Sequence, residues 1–477
     1  MSQMTSESEA DAAVPTNEGT CDSSLGELNG SVPVPPETAG FWRQWRAFAG
    51  PAFLISVGYM DPGNWGTDLQ GGASYKYELL WVVALASFMA VIMQVLSARL
   101  GIVLGKDLAQ ACRDFFPRTR WPNWLACELA IMACDLAEVL GSAVAINLLF
   151  HIPLFWAVLI TAFDVMLLLG LQGLGMRFIE ALILVLVATI GGCFFIEIFI
   201  LPHTNPAFLE MGRAVFTPGF RKEGMLIVAI GIIGATVMPH NLYLHSALVQ
   251  SRRLRHDEAT TRRAIKFNII DTVVALSVAF LVNAAIMVLA AQVFHGRDCV
   301  VLDNGDVVPL TAEAHPEKKE PDWIRVAHLT LAPLLGTALA SILFAVALLA
   351  SGQSSTITGT MAGQVVMEGF MRWRIRPWVR RLATRLLAIV PAILIIGTRG
   401  NGSVNDLLVL SQVVLAIQLP FAILPLMLLS SSRQRMGKFR CGWFLLVGGW
   451  TSFLLITSLV IYGLPEALEK AWEVATS

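Results

Sequence analysis

Charge is scarce in this chain. Only 14% of its 477 residues are Asp, Glu, Lys or Arg, while 55% are hydrophobic and the mean hydropathy is +0.64. Soluble domains carry roughly 25% charged residues, so a soluble globular protein is excluded. The formal net charge of −1 leaves none of the basic excess that binding nucleic acid requires. The seven cysteines (Cys21, Cys112, Cys127, Cys134, Cys193, Cys299 and Cys441) form no CxxC pair, so neither a disulfide framework nor a zinc site is indicated. An HExxH helix, the mark of a zinc protease, is missing. The nearest thing to a nucleotide loop, GIVLGKD from Gly101 to Asp107, is one residue short and puts Asp where Ser or Thr must hold Mg²⁺. An ATP-driven pump and an intramembrane metalloprotease therefore drop out, and a transporter is favoured over an enzyme. Residues 1–40 have seven acids and no Lys or Arg. They lack the basic and apolar regions of a signal peptide and read as a disordered, acidic, cytoplasmic tail.

What the chain has is apolar runs long enough to cross a bilayer, which takes about 20 residues per helix. Between charged or Pro/Gly-rich breaks they fall at 45–73, 78–103, 122–150, 153–172, 178–201, 225–250, 266–294, 327–356, 382–399, 404–430 and 442–466. The eighth continues past Ser351 towards Met371. The fold class is thus an all-α polytopic membrane protein with eleven transmembrane helices. With the N-terminus inside, 24 of the 34 Lys and Arg residues fall on one face, which the positive-inside rule assigns to the cytoplasm. The C-terminus is then external.

Two spans are interrupted. YMDPGNWG, Tyr59 to Gly66, puts an acid, a proline, a glycine and an amide inside the first. Pro62 has no N–H for the helix and Gly63 lifts the steric barrier to unusual backbone angles. Freed backbone groups at that depth are tolerated only where they line a cavity, and Asp61 adds a charge whose insertion costs roughly 2.5–3.5 kcal/mol. The sixth span contains GATVMPHNLYLHS, Gly234 to Ser246. Aligning Pro62 with Pro239 pairs Asp61 with Met238 and Asn64 with Asn241. Interrupted helices in spans 1 and 6 are the signature of a 5+5 inverted repeat with a midplane substrate site. Spans 1–5 (residues 41–201) and 6–10 (202–430) form the repeats, and 431–477 adds the eleventh helix and an external end. An acid already occupying the break favours a cation over an amino acid. Carboxylate, amide and carbonyl oxygens suit hard divalent ions, and a thioether suits softer ones, so the mixed set points to Mn²⁺, Fe²⁺, Co²⁺ or Cd²⁺.

DPGNW, MACDLAEVLGSA, GATVMPHNLYLHSALVQSR, FAVALLASGQSSTITGTMAGQVVMEGF and LVLSQVVLA closely resemble the natural resistance-associated macrophage protein (Nramp) family. Its members are proton-coupled divalent metal transporters with the leucine-transporter-like fold. The likeness runs from about Trp42 to the end. It implies Asp61, Asn64, the Ala235 carbonyl and the Met238 sulfur as metal ligands, with Gln412 joining when the site closes. Relatives that carry magnesium or aluminium lack the methionine, which is kept here. Asn241 follows the MPH triplet where the family varies, so no ligand role passes to it. The resemblance further implies a multi-pass cell (inner) membrane protein importing Mn²⁺, Fe²⁺, Co²⁺ or Cd²⁺ with protons by alternating access. The metal is cargo rather than cofactor. Its partners are metal, proton and the lipid bilayer, and the chain is expected to act as a monomer.

Asp135 and Glu138 in CDLAEVLG are three apart and share a helical face. Two carboxylates facing together in low dielectric cannot both ionise cheaply, and acids within membrane spans are default proton-relay groups. Pairing with an arginine to hold helices together is the alternative. By the resemblance, the matching family acids form a polar network with a basic residue of span 9, here Arg380 or Arg381. His240 follows Pro239 directly and is the better proton-shuttle candidate. His245 points about 140° away from it, which rules out a shared metal site and fits a buried, hydrogen-bonded histidine. Asn283 reads as interhelical glue. A channel would not need two repeat-related broken helices. The main rival is a same-fold transporter of a small organic solute such as an amino acid; for a metal carrier, Mn²⁺ and Cd²⁺ should compete with each other and amino acids should not.

Overall fold

The computed structural model describes residues 24–26, 28–163, 176–196, 199, 207–254, 257–301, 307–310, 323–327, 329, 338–399 and 404–476. The first expected span is two short helices, α2 (Pro51–Gly58) and α3 (Pro62–Tyr75), preceded by α1 (Phe41–Phe48). Then come α4 (Leu80–Leu104), α5 (Leu108–Phe115), α6 (Arg120–Phe150), α7 (Leu154–Thr161), α8 (Met176–Phe195) and α9 (Phe208–Val215). The sixth span is again two helices, α10 (Met225–Val237) and α11 (Pro239–Leu248), each new half beginning on a proline. Proline is welcome there because the first turn of a helix has no use for its N–H. The chain continues with α12 (Glu258–Val293), α13 (Ala338–Met371), α14 (Pro377–Arg399), α15 (Val404–Ser431) and α16 (Trp443–Thr476).

Eight helical stretches among the described residues are long and apolar enough to span a bilayer. Three of the eleven expected spans fall outside that group. The first is split, the fourth is described only as far as Phe163, and in the ninth the side chains are described only from Trp378 to Leu394, too short a stretch to qualify. The eighth helix runs on to Met371, following the apolar run beyond the expected end at 356. The end of the fourth span, 197–198 and 200–201 at the end of the fifth with 202–206 after it, and the start of the eighth lie outside the described residues. Beside the helices stands one small addition. Cys299–Val301 (β1) pairs antiparallel with Val307–Pro309 (β2) in the external connection between α12 and α13, where a valine-rich stretch reaches water.

The core is built on three extensive helix pairs: α6 with α13, α3 with α12, and α10 with α15. Small residues set two of these distances. A Cβ on Gly72 of α3 would strike the Met287 carbonyl of α12, and one on Gly234 of α10 would strike the Gln412 carbonyl of α15. Close backbone approach through small residues is how membrane helices gain packing without a hydrophobic drive between them. α16 is the least buried of the apolar helices and exposes Leu454, Ile461 and Tyr462. Trp121, Trp124 and Trp373 gather edge to face at the basic face, as interfacial aromatic belts do.

Two features tie down the chain entering α2. Asp271 of α12 accepts from the Gly50 and Ala52 N–H groups, at 3.2 and 3.0 Å. Arg252 pairs with Glu180 of α8 at 2.8 Å and donates to the Ala49 carbonyl at 2.6 Å. The tail expectation is corrected here. Residues 1–23 lie outside the described ones, but from Ser24 the chain is seated on the cytoplasmic ends of the helices, with Leu25 and Val32 buried. Composition missed this because the seat is made by main-chain hydrogen bonds, which carry no compositional signal.

Candidate functional site

The two helix breaks face each other at the centre of the molecule. α2 ends at Gly58, Tyr59 and Met60 turn, and Asp61 caps α3 by accepting the Asn64 N–H at 2.8 Å. The turn's carbonyls are not left open. Asn283 donates to the Tyr59 carbonyl at 2.8 Å, and Trp65 and Ser351 donate to that of Met60. This gives Asn283 the interhelical role expected from sequence. In the other break, Met238 sits at φ +31°, a conformation costly for a side-chain-bearing residue, by about 1–3 kcal/mol. Its N–H reaches the Gly234 carbonyl at 3.4 Å. The next carbonyl, that of Ala235, would look four residues on for its donor and meets Pro239, which has none.

Three contacts bring the breaks together. Gly58 leaves room that a Cβ would fill: its position lies 3.2 Å from the Met238 sulfur and overlaps the Asn241 amide. Gly63 likewise admits the Gln412 carboxamide. Gln412 thus stands between the broken helices, its carbonyl against Gly234 of α10 and its side chain against Gly63 of α3. Behind the site, Pro62 packs on Gly141 of α6, and Met238 packs with Ala130, Cys134 and Leu415.

All five expected ligand residues are fully buried: Asp61, Asn64, Ala235, Met238 and Gln412. Several of their polar atoms are also idle. Asp61 Oδ2, both side-chain atoms of Asn64 and Gln412 Oε1 have no hydrogen-bond partner. The Met238 sulfur takes only the Asn241 amide, at 3.4 Å. Buried polar groups are nearly always satisfied, and a cluster of exceptions needs an explanation such as an ion. Asn241 therefore serves the sulfur and leaves its own Oδ1 idle.

The acid pair of α6 is engaged differently. Glu138 accepts from Ser355 at 2.8 Å, Thr356 at 3.1 Å and Arg381 at 2.8 Å, while Asp135 forms a tight ion pair with the same Arg381. The guanidinium forks between the two carboxylates, as its planar donors allow. Arg380, the other candidate, is bound to Glu128 at 2.9 Å and stands outside this pair. Arg385, 3.9 Å from Glu138, joins it. His240 is buried with Nδ1 unpartnered. His245 lies between Gln94, at 3.0 Å, and Asn268, at 3.4 Å, the bonded core histidine that was expected.

Sequence reading missed Ser355, Thr356 and Arg385. They had a signal: hydroxyls and charge inside apolar runs. It also passed over Asp68, buried with both carboxylate oxygens unpartnered and seven residues after Asp61, hence on the same face of α3.

A family model for natural resistance-associated macrophage protein-like sequences matches residues 52–466. The chain is 47% identical over 446 residues to the divalent metal cation transporter MntH of Nostoc sp., covering 93% of this chain and 96% of that protein. It is 49% identical over 420 residues to the MntH of Bradyrhizobium diazoefficiens, covering 87% and 88%. Among solved structures, a mutant of the Eremococcus coleocola manganese transporter superposes with a TM-score of 0.83 at 38% identity, covering 94% of this chain and 92% of that one. Mhp1, a nucleobase-cation-symport-1 family transporter, matches with a TM-score of 0.51 at 15% identity and speaks for the shared fold alone. Broken helices, multiple membrane spans and a match along most of the chain all agree. The chain belongs to the Nramp family of divalent metal transporters.

Proposed function

We propose that this protein imports divalent transition metal ions, Mn²⁺ foremost and Fe²⁺, Co²⁺ and Cd²⁺ with it, coupled to proton entry and by alternating access about the midplane. The observation that carries the reading is the set of idle donors. One carboxylate oxygen and two amide oxygens without hydrogen-bond partners lie on or beside the two helix breaks, with a proline-freed carbonyl and a thioether, all closed off from solvent. Asp61, Asn64, Ala235, Met238 and Gln412 bind the ion. Asp61 supplies the only charge among them, so a divalent cation is half neutralised there, and helix ends and dipoles supply the rest. The names of the relatives, divalent metal cation and manganese transporters, support the same cargo.

Protons take a separate path. Asp61 exchanges its proton for the metal, and His240, next to the break and with Nδ1 unpartnered, can pass one on. Asp135, Glu138 and Arg381 lie along α6 and α14 below it. Gly141, against which Pro62 packs, is one turn beyond Glu138 on the same helix, so movement of the break is felt by the acid pair. Arg380, held by Glu128, anchors the helix end. The protein acts as a single chain in the cell membrane. The test is uptake of Mn²⁺, Cd²⁺, Mg²⁺ and Ca²⁺ by proteoliposomes with and without an inward proton gradient. Mn²⁺ and Cd²⁺ uptake should rise with the gradient, and Asp61→Ala should abolish it in a folded protein. Wild-type rates in that variant would show that the ligand set is elsewhere.

A further inference from the structure

The cytoplasmic mouth carries a docked segment that transport as described does not use. Residues 24–34 include two glycines, an asparagine and a proline, and the described ones, 24–26 and 28–34, form no helix. They are nevertheless held at both ends. At one end, the Gly30 N–H donates to the Gln250 carbonyl at 3.0 Å and the Val32 N–H to that of Ser251 at 2.9 Å. The Arg253 N–H returns a bond to the Val32 carbonyl at 2.8 Å. Val32 and Arg252 form a parallel bridge, and the Arg253 side chain reaches the Gly30 carbonyl at 3.3 Å. All of these partners follow directly on α11, the cytoplasmic half of the second broken helix.

At the other end, the Leu25 N–H donates to the Glu368 carboxylate at 3.0 Å, in the last turn of α13. Gln364 fixes that carboxylate from one turn back, at 2.9 Å. Ser24 is buried beside Asp107, where α4 passes into α5. Leu25 and Val32 are 8% and 4% exposed and belong to the main apolar core, with Leu28 packed on it. One short segment therefore spans from the end of α11 to the ends of α13 and α4.

On the alternating-access reading, that seam lies on the ion's way to the cytoplasm. Below the break, α2 and α11 run from the site to the basic face, and α6 and α13 stand across from them. An ion leaves inward only if these pairs part, and the docked segment bonds to α11 on one side and α13 on the other. We propose that residues 24–34 are an internal clasp on the cytoplasmic mouth, whose docking holds the inner side closed and restrains transport until it lifts. This rests on the alternating-access reading above. The build suits a detachable part. Its polar attachments to the helices run almost wholly through its own backbone, and nothing covalent ties it down except the chain itself. The residues before it hold acids and no Lys or Arg, so attraction to the arginine-rich face favours docking and weakens with salt.

The test uses two variants in a background where the native cysteines are replaced. Val32→Pro removes one clasp N–H and leaves every membrane helix intact. Deletion of residues 2–34 removes the clasp whole. Each carries Ile55→Cys, a buried position on α2, and is labelled with an impermeant maleimide from the cytoplasmic face of oriented vesicles. Mn²⁺ uptake is read in parallel. Losing bonds of this kind should shift the closed-to-open balance about threefold or more. Both variants should label faster than the undeleted chain, with faster initial uptake. Labelling that stays at the undeleted rate in both makes the segment mere packing and overturns the proposal. Faster labelling without faster uptake overturns the claim of restraint. If the undeleted chain carries no metal at all, the transport reading fails, while the labelling comparison still decides whether the segment closes the mouth.

Discussion

At the scale of single residues, the proposed site turns on a contest between soft and hard ions that Met238 would decide. A thioether gains little from Mg²⁺ or Ca²⁺ and binds Cd²⁺ well and Mn²⁺ moderately. It also occupies a place that a hard ion would fill with oxygen. The backbone presents it at positive φ, and the Asn241 amide steadies the sulfur. Met238→Ala should therefore lower Cd²⁺ affinity most and Mn²⁺ affinity less, and admit Ca²⁺ or Mg²⁺ as competitors. Isothermal titration with the four ions checks the order, and equal losses for all would mean that the sulfur does not touch the metal. Glu138 belongs to the same scale. It accepts from two hydroxyls and two arginines approach it. Glu138→Gln keeps the shape and cannot release a proton. Its expected effect is loss of most metal-driven acidification of vesicles, with metal affinity unchanged within about threefold. Unchanged proton flux would leave the α6 pair a structural tie.

At the scale of elements, termini matter more than middles. Both broken helices restart on proline and both breaks pack through glycine, so interruption and close approach come from the same few residues. The α4–α5 connection shows a second use of a terminus. Asp107 caps α5 by accepting the Gln110 N–H at 2.8 Å, and Gln110 returns a bond to the Asp107 N–H. Burial dominates its chemistry and, against those bonds and the Arg113 charge, pushes the carboxyl up to about 6. A carboxyl raised in the folded state favours folding while protonated. That contribution is complete below the unfolded value near 3.8 and is lost as pH rises through about 6. Asn caps as well as Asp and cannot ionise. Asp107→Asn should thus gain stability on the wild type between pH 4 and 7 and level off above, by on the order of 3 kcal/mol, read as a rising difference in thermal midpoint. A variant less stable than the wild type at pH 7 would show that the charged form is the one the fold prefers.

At the scale of the whole molecule, orientation follows from charge. With 24 of 34 basic residues on one face, β1 and β2 lie on the other. Cys299 on β1 is exposed, while Cys112, Cys127, Cys134, Cys193 and Cys441 are buried. In a Cys21→Ser background, an impermeant maleimide should label intact cells at Cys299, and Cys299→Ser should remove the signal. Labelling that appears only after the membrane is opened would reverse the topology.

The amino-acid sequence by itself determined the class, the spans, the orientation and the two breaks. Each of these rests on local properties: apolar length, basic flanks, and a proline that cannot donate a hydrogen bond. Through its family resemblance it also pointed to five candidate ligand residues, all of which the structure buries. Only the tertiary structure decided between Arg380 and Arg381. Neighbours on one helix point about 100° apart, and which of them meets α6 depends on how α14 is rotated. The same holds for Ser355, Thr356 and Arg385, which reach Glu138 from helices more than two hundred residues away. The segment from Ser24 was hidden for a related reason. Its composition is that of a free tail, and what seats it is a set of carbonyls at the end of α11 that exists only once the helices have packed.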